Sequence, residues 1–288
     1  SRGGHSVTEI LRYPSLINAW QCQNKTLLGQ WQAQYGFDIM IIAQISDSHI
    51  DPQSAQLKHR LEDLRRVVDS LNHLDPAPDI VIHTGDVVHN GSQEKYDLAL
   101  SILGDIHMPL HVCPGNRDDR NLIVKNFLTG TKIAVDSPFL QYSIDHYPVR
   151  LVAVDTLSAT TNMGDYCQQR ADALREMLAQ KPNKPTVLFM HHPPFEIVES
   201  TYPFQFENWE TIDYLTQVLK ENKQVKQIFC GHTHRNVKSQ LVGVPASTVP
   251  SVAVDLRLDD VPRGTAVKPV YHLHKFNGTQ FKSQTVVC

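Results

Sequence analysis

Five times along this chain a short apolar run stops at a cluster of Asp, Asn, His and Gly, and few folds can use such a pattern. Ile39–Ile45 runs into Ser46-Asp47-Ser48-His49, Asp79–His83 into Thr84-Gly85-Asp86, and Leu110–Cys113 into Pro114-Gly115-Asn116. Thr186–Met190 ends at His191-His192-Pro193-Pro194, and Val225–Cys230 at Gly231-His232-Thr233-His234. Between the runs lie segments of helical period. Leu57, Leu61, Leu64, Val67 or Val68, and Leu71 recur every three or four residues, the spacing of one helix face. Further helices are predicted over 93–103, 168–178 and around 209–219. The order of run, cluster, helix and next run is that of β-α-β units. In open sheets of this kind ligands bind beyond the carboxyl ends of the strands, where all five clusters fall. Phe139–Ile144 and Val149–Val154 read as a hairpin, and 237–287 alternates as antiparallel strands would.

Composition removes several function classes. At 288 residues the chain can bury a sizeable core. Its 27 Lys and Arg against 30 Asp and Glu give a net charge of −3, without the basic excess that grips nucleic acid or an anionic membrane nonspecifically. The longest apolar stretch, Ile39–Ala43, is far short of the roughly 18 residues that span a bilayer, so no membrane partner is expected. Five scattered cysteines with no C-x-x-C pair argue against a disulfide framework, and no leader-like segment opens the sequence, so a cytoplasmic location is expected. Residues 1–38 read as an N-terminal extension to a domain of 39–288. What the chain has in quantity is histidine, 15 residues, several beside Asp, Asn and Gly.

Asp47-x-His49 and His232-x-His234 are each two residues apart, and in extended backbone that spacing sets both side chains on one face about 6.6 Å apart. Carboxylate oxygen with neutral imidazole nitrogen suits Zn, Fe or Mn better than Ca or Mg. One ion would need about four such groups. Asp86, Asn116 and His191 make a surplus, which points to two ions about 3.5 to 4 Å apart sharing a carboxylate. Asp86 is the natural bridge.

The ordered motifs ISDSHI, TGD, PGNRDD, MHHPPF and CGHTHR resemble those of the calcineurin-like metallophosphoesterases: D-x-H, G-D, G-N-H-D/E, H and G-H-x-H. The resemblance runs over most of the chain. It implies an α/β fold, a four-layer α-β-β-α sandwich of two mixed sheets, with the metals between the sheet rims. It implies Asp47, His49, Asp86 and His234 on one metal, and Asp86, Asn116, His191 and His232 on the other. The cofactors would be two divalent or trivalent ions, Fe, Mn or Zn. The HHPP form of the fourth motif looks most like class III cyclic nucleotide phosphodiesterases and their glycerophosphodiesterase relatives. The implied reaction is hydrolysis of 3′,5′-cyclic AMP or a related small phosphodiester by in-line attack of a metal-bridging hydroxide. A phosphomonoesterase or nucleotide-sugar pyrophosphatase on the same site, and a noncatalytic scaffold of the same fold, are the alternatives.

One residue departs from the pattern. Where the family usually has His after the Asn, this chain has Arg117. Arginine stays protonated near neutral pH, so Arg117 is no general acid, but it can clamp phosphate oxygens and stabilise transition-state charge. The G-N-R-D form is similar to that of pyrophosphatases acting on UDP-diacylglucosamine, whose phosphate leaving group needs little protonation. His192, beside a ligand, is a candidate proton donor or substrate contact, with metal-assisted departure and a packing role as the alternatives. Residues 196–208, rich in Phe, Tyr and Pro, are expected to form a short cap. His83 is expected to be buried and hydrogen-bonded, His272 and His274 to lie on a sheet surface, and Asp118 and Asp119 to cap the helix that follows or, as the alternative, to orient Asn116 or Arg117. A nucleic-acid partner is disfavoured by charge, and a homodimer is left open.

Overall fold

The computed structural model describes residues 39–129, 131, 133, 137–258 and 267–288. The expected extension over 1–38 lies outside the described residues. The first sheet is built on β1 (Ile39–Ile45), β2 (Ile80–His83) and β3 (Leu110–Val112), joined in parallel register. The crossovers are α1 (Leu57–Asn72) and α2 (Gln93–Leu103), and α3 (Arg120–Phe127) follows β3. The second sheet opens with the antiparallel hairpin β4 (Tyr142–Ile144) and β5 (Arg150–Ala153). It continues in parallel through β6 (Thr186–Met190) and β7 (Val225–Cys230), with α4 (Gln168–Ala179) and α5 (Ile212–Glu221) as crossovers.

Four more strands close the two sheets: β8 (Lys238–Leu241), β9 (Val244–Thr248), β10 (Val270–Asn277) and β11 (Phe281–Val287). The orders are β11-β10-β1-β2-β3 and β4-β5-β6-β7-β9-β8. Antiparallel pairing holds within β8/β9 and within β10/β11, as the alternation implied. The two pairs nevertheless go to different sheets, and β9 lies parallel to β7.

Alternation along the strands shows how the layers stack. On β6, Val187 and Phe189 enter the core shared with the first sheet, while Leu188 and Met190 pack beneath the helices, the period of two that a sheet covered on both faces requires. On α5, Ile212, Leu215, Val218 and Leu219 form the buried stripe that meets that outer face, as expected of an amphipathic helix. Both sheets are mixed and each is faced by helices, as the four-layer expectation required.

His272 and His274 are not on a surface. They are 3% and 0% exposed, because β10 is an interior strand between β1 and β11. The His274 ring stacks at 3.8 Å on Phe229 of the other sheet. Its Nε2 donates to Gln44 Oε1 at 3.0 Å, and Ser283 Oγ donates to its Nδ1 at 2.7 Å. Gln44 in turn donates to Thr84 Oγ1 at 3.1 Å and to the Cys230 carbonyl at 2.9 Å. One side chain thus ties β1 to the ends of β2 and β7, directly below the polar clusters.

Candidate metal centre

Each cluster begins where its strand stops, and the backbone there is not extended. Asp47, His49, Asp86, His232 and His234 have φ of 57°, 44°, 53°, 69° and 53°. These are left-handed conformations that L-residues visit rarely, with Asp, Asn and His several-fold enriched among those that do. The extended geometry expected for the two x-separated pairs is therefore replaced by tight turns. Hydrogen bonds between neighbouring loops hold them: Asp47 N donates to the Gly85 carbonyl and His49 N to that of Asp86, both at 3.0 Å. Gly85 itself has a φ of 92°, and a Cβ there would lie 2.7 Å from the His191 ring.

The seven residues that sequence reasoning singled out come together from both sheets. Asp47, His49, Asp86 and Asn116 follow β1 to β3, and His191, His232 and His234 follow β6 and β7. His49 Nε2 lies 3.2 Å from His234 Nε2, and His234 Nε2 is 3.3 Å from Asp47 Oδ1. On the other side, His191 Nε2 is 3.0 Å from Asn116 Oδ1 and 3.2 Å from His232 Nδ1. Asp86 stands between the two groups: its Oδ2 is 3.4 Å from His49 Nε2 and 3.5 Å from His191 Nε2. Separations of 3.0 to 3.5 Å are those of neighbouring ligands around ions bound at about 2.1 Å. Asp47 Oδ1 is buried without a hydrogen-bond partner among the described residues, an acceptor that a cation would satisfy. The donor set fits two metal ions.

Hydrogen bonds behind the rings fix which nitrogen faces inward. His191 Nδ1 donates to the Thr84 carbonyl at 2.7 Å and His234 Nδ1 to that of Leu256 at 2.9 Å, leaving each Nε2 lone pair toward the centre, as metal-ligating histidines require. The electrostatics agree. Burial works to raise Asp86, but the His191 and His49 imidazoles outweigh it and bring the carboxyl down to about 2. Burial works to lower His191, but Asp86 and Asp47 lift it to about 9. A pocket that keeps two buried carboxylates ionised attracts positive charge.

Arg117 does two things. Its backbone N–H donates to Asp86 Oδ1 at 2.7 Å, which turns Oδ2 toward both histidine groups. Its guanidinium, 3.3 Å from Asn90 Oδ1, lines a pocket of about 380 Å³ together with His49, His89, Arg60, His234 and Leu256. His89 carried no motif signal in the sequence; its ring lies 5.7 Å from that of His49.

His192 is placed differently from what a proton donor requires. It is fully buried, accepts from Thr156 Oγ1 at 2.9 Å through Nδ1 and donates to the Asn162 carbonyl at 3.2 Å through Nε2. With both nitrogens engaged it packs beside His191 and His232 rather than reaching substrate, and the proton-donor expectation loses its support. Asp118 and Asp119 divide the two expected roles between them. Asp119 is the helix cap, accepting from Leu122 N at 2.9 Å. Asp118 instead accepts from Gly115 N at 2.9 Å, Val87 N at 3.3 Å and Tyr96 Oη at 2.9 Å, tying the loops that carry Asp86 and Asn116. His83 is buried and donates to Ser48 Oγ at 3.0 Å, as expected.

Residues 40–236 match the sequence profile of the calcineurin-like phosphoesterases. A probable glycerophosphodiester phosphodiesterase of Arcobacter nitrofigilis is 30% identical over 251 residues, 84% of this chain and 90% of the relative. A probable cyclic nucleotide phosphodiesterase of Rhodopseudomonas palustris is 29% identical over 70% of this chain and 74% of its own length. In three dimensions the chain is similar to a dimetal phosphatase from Danio rerio, with a TM-score of 0.64 at 13% identity, over 86% of this chain and 98% of the other. At that identity the likeness concerns the fold alone.

Proposed function

We propose, for a chain that belongs to the calcineurin-like phosphoesterase family, that it hydrolyses a small phosphodiester at a centre of two cations bridged by Asp86. The observation that carries the reading is the position of Asp86 Oδ2, 3.4 Å from one histidine group and 3.5 Å from the other. Asp47, His49 and His234 would complete one site, and Asn116, His191 and His232 the second, with Fe, Mn or Zn suited to this donor set. Such ions, when bound, make hydroxide available near neutral pH and polarise phosphoryl oxygens.

The chain's own residues supply position and charge. Arg117 sits at the pocket with its backbone on the bridging carboxylate, so its guanidinium can hold non-bridging phosphate oxygens beside the centre and stabilise charge that grows there. Burial, with His232 and His191 beside it, keeps His192 neutral, and hydrogen bonds with Thr156 and Asn162 fix its ring, which steadies the rings of His191 and His232 against it. The names of the relatives, for glycerophosphodiesters and cyclic nucleotides, support a diester, and a pocket of about 380 Å³ supports a small one. Residues 196–208 serve as the cap in this reading: Phe206 packs on His192, while Val198, Tyr202 and Phe204 stay exposed. The free, buried thiols of Cys113 and Cys230 suit a reducing cytoplasm.

A diphosphate linked to a nucleoside is the second reading. Arg117 favours it, because an Arg cannot protonate a poor leaving group and a departing phosphate needs little help. The test is a panel on metal-loaded protein: cyclic AMP, glycerophosphoethanolamine, aryl mono- and diesters, and a UDP-linked diphosphate. Turnover of one of the diesters is expected. Activity confined to monoesters would overturn the diesterase reading, and activity confined to the UDP substrate would replace it with the second.

A further inference from the structure

We infer that the ion pair between Arg60 and Asp255 sets the affinity of one metal position, that of Asp47, His49 and His234, and leaves the other unaffected. The inference rests on the two-cation reading above. Arg60, on α1, donates through Nε and Nη2 to the Asp255 carboxylate at 3.0 and 2.7 Å. Its remaining terminal nitrogen, Nη1, donates to the main-chain carbonyl of His49 at 2.9 Å. Asp255 lies in the 3-10 turn Val254–Leu256, and the next carbonyl along, that of Leu256, accepts the Nδ1 proton of His234 at 2.9 Å. One guanidinium therefore reaches the backbone of one histidine directly and the ring of the other through a single turn.

The surrounding contacts point the same way. Asp63, three residues after Arg60 and on the same face of α1, accepts from Val254 N at 3.1 Å, so the helix grips the turn at two points. Leu258 N donates to the His234 carbonyl at 3.1 Å, Val252 N to that of Ser46 at 3.0 Å, and Ser251 Oγ to that of Asp47 at 2.7 Å. Asp47, His49 and His234 are all left-handed, a conformation that persists only where neighbours over-determine it. Here the neighbours are Arg60 and residues 251–258, added to the Gly85 and Asp86 carbonyls that accept from Asp47 N and His49 N. The second position is held otherwise: the His191 ring by the Thr84 carbonyl, the His191 carbonyl by Gly231 N at 3.0 Å, and Gly115 N by Asp118. Among the described residues, neither Asn116 nor His191 is hydrogen-bonded to Arg60 or to 251–258. The pair lies at the edge of the core, its side chains 10% and 25% exposed, so changing it opens no apolar cavity.

The experiment compares wild type, Asp255→Asn, Arg60→Gln and Arg60→Lys, each stripped of metal and titrated calorimetrically with Mn(II), with circular dichroism confirming the fold. His234→Ala and Asn116→Ala identify which equivalent belongs to which position. Wild type should take up two equivalents. Asp255→Asn and Arg60→Gln should weaken, by roughly 10- to 100-fold, the same equivalent that His234→Ala removes, and leave the one that Asn116→Ala removes. Arg60→Lys, which keeps the charge without the fork, should fall between. Unchanged isotherms, equal weakening of both equivalents, or weakening of the Asn116 equivalent would overturn the inference while two-metal binding stands. Wild type that binds fewer than two would sink the two-cation reading and the inference with it.

Discussion

A methyl group on Gly231 would land on Ser46 Oγ and lie 2.8 Å from the Thr84 carbonyl and 2.9 Å from Asp47 Oδ2. Gly231→Ala is therefore expected to displace the Asp47 carboxylate and to lower bound metal below two equivalents, with little change in secondary structure; full metal occupancy in that variant would show the packing to be more forgiving. Arg117 acts on charge instead. Arg117→Ala should lower kcat/KM roughly 10²-fold while metal content holds, and Arg117→His should favour alkyl over aryl diesters by restoring a group that can give up a proton. Equal rates for wild type and both variants would remove Arg117 from the reacting phosphate. At this scale the sequence was informative for a definite reason: hard and borderline donors at turns after strands have few uses other than metal binding. The backbone conformation was not legible. A two-residue spacing reads as extended, yet Asp47, His49, His232 and His234 are left-handed, at about 1 to 3 kcal/mol each, and only the loops bonded across the rim reveal that.

Strand β10 carries a consequence for acid stability. Burial, with Lys238 adding to it, lowers His272 from 6.5 to about 4, and neither ring nitrogen has a partner among the described residues. Between pH 6.5 and 4 the unfolded chain binds a proton that the folded chain does not. The contribution of His272 is thus complete above about pH 6.5 and is lost progressively as the pH falls to about 4, by about 3 kcal/mol in all. His272→Leu should flatten this part of the profile, read as urea midpoints at pH 5 and pH 8; the same difference between midpoints in wild type and variant would contradict it. The expectation of a surface site for His272 and His274 failed because alternation along one strand cannot say how many neighbours the strand has. Helices fared better, since a periodic stripe is a local signal: 93–103 agrees with α2 to the residue, and 168–178 differs from α4 by one. Sheet membership of β8 to β11 depends on contacts far along the chain and was not readable.

The two sheets meet rim to rim so that candidate ligands from one stand beside those from the other, and no single β-α-β unit holds more than a part of either group. Gln44, bonded to Thr84, Cys230 and His274, and Asp47 Oδ2, accepting from His232 N at 3.1 Å, are the polar ties that hold the rims in register. Neither tie was visible as a motif, because each joins residues of which only one stands in a polar cluster or serves a purpose that the cluster did not suggest. At the centre of the proposed chemistry are two ions that share one carboxylate. Electron paramagnetic resonance of the Mn(II)-loaded chain tests it directly: two equivalents should give the spin-coupled spectrum of a pair about 3.5 to 4 Å apart, and Asp86→Asn should lose it. A six-line spectrum of isolated Mn(II) at full loading, or a coupled signal that survives Asp86→Asn, would contradict it.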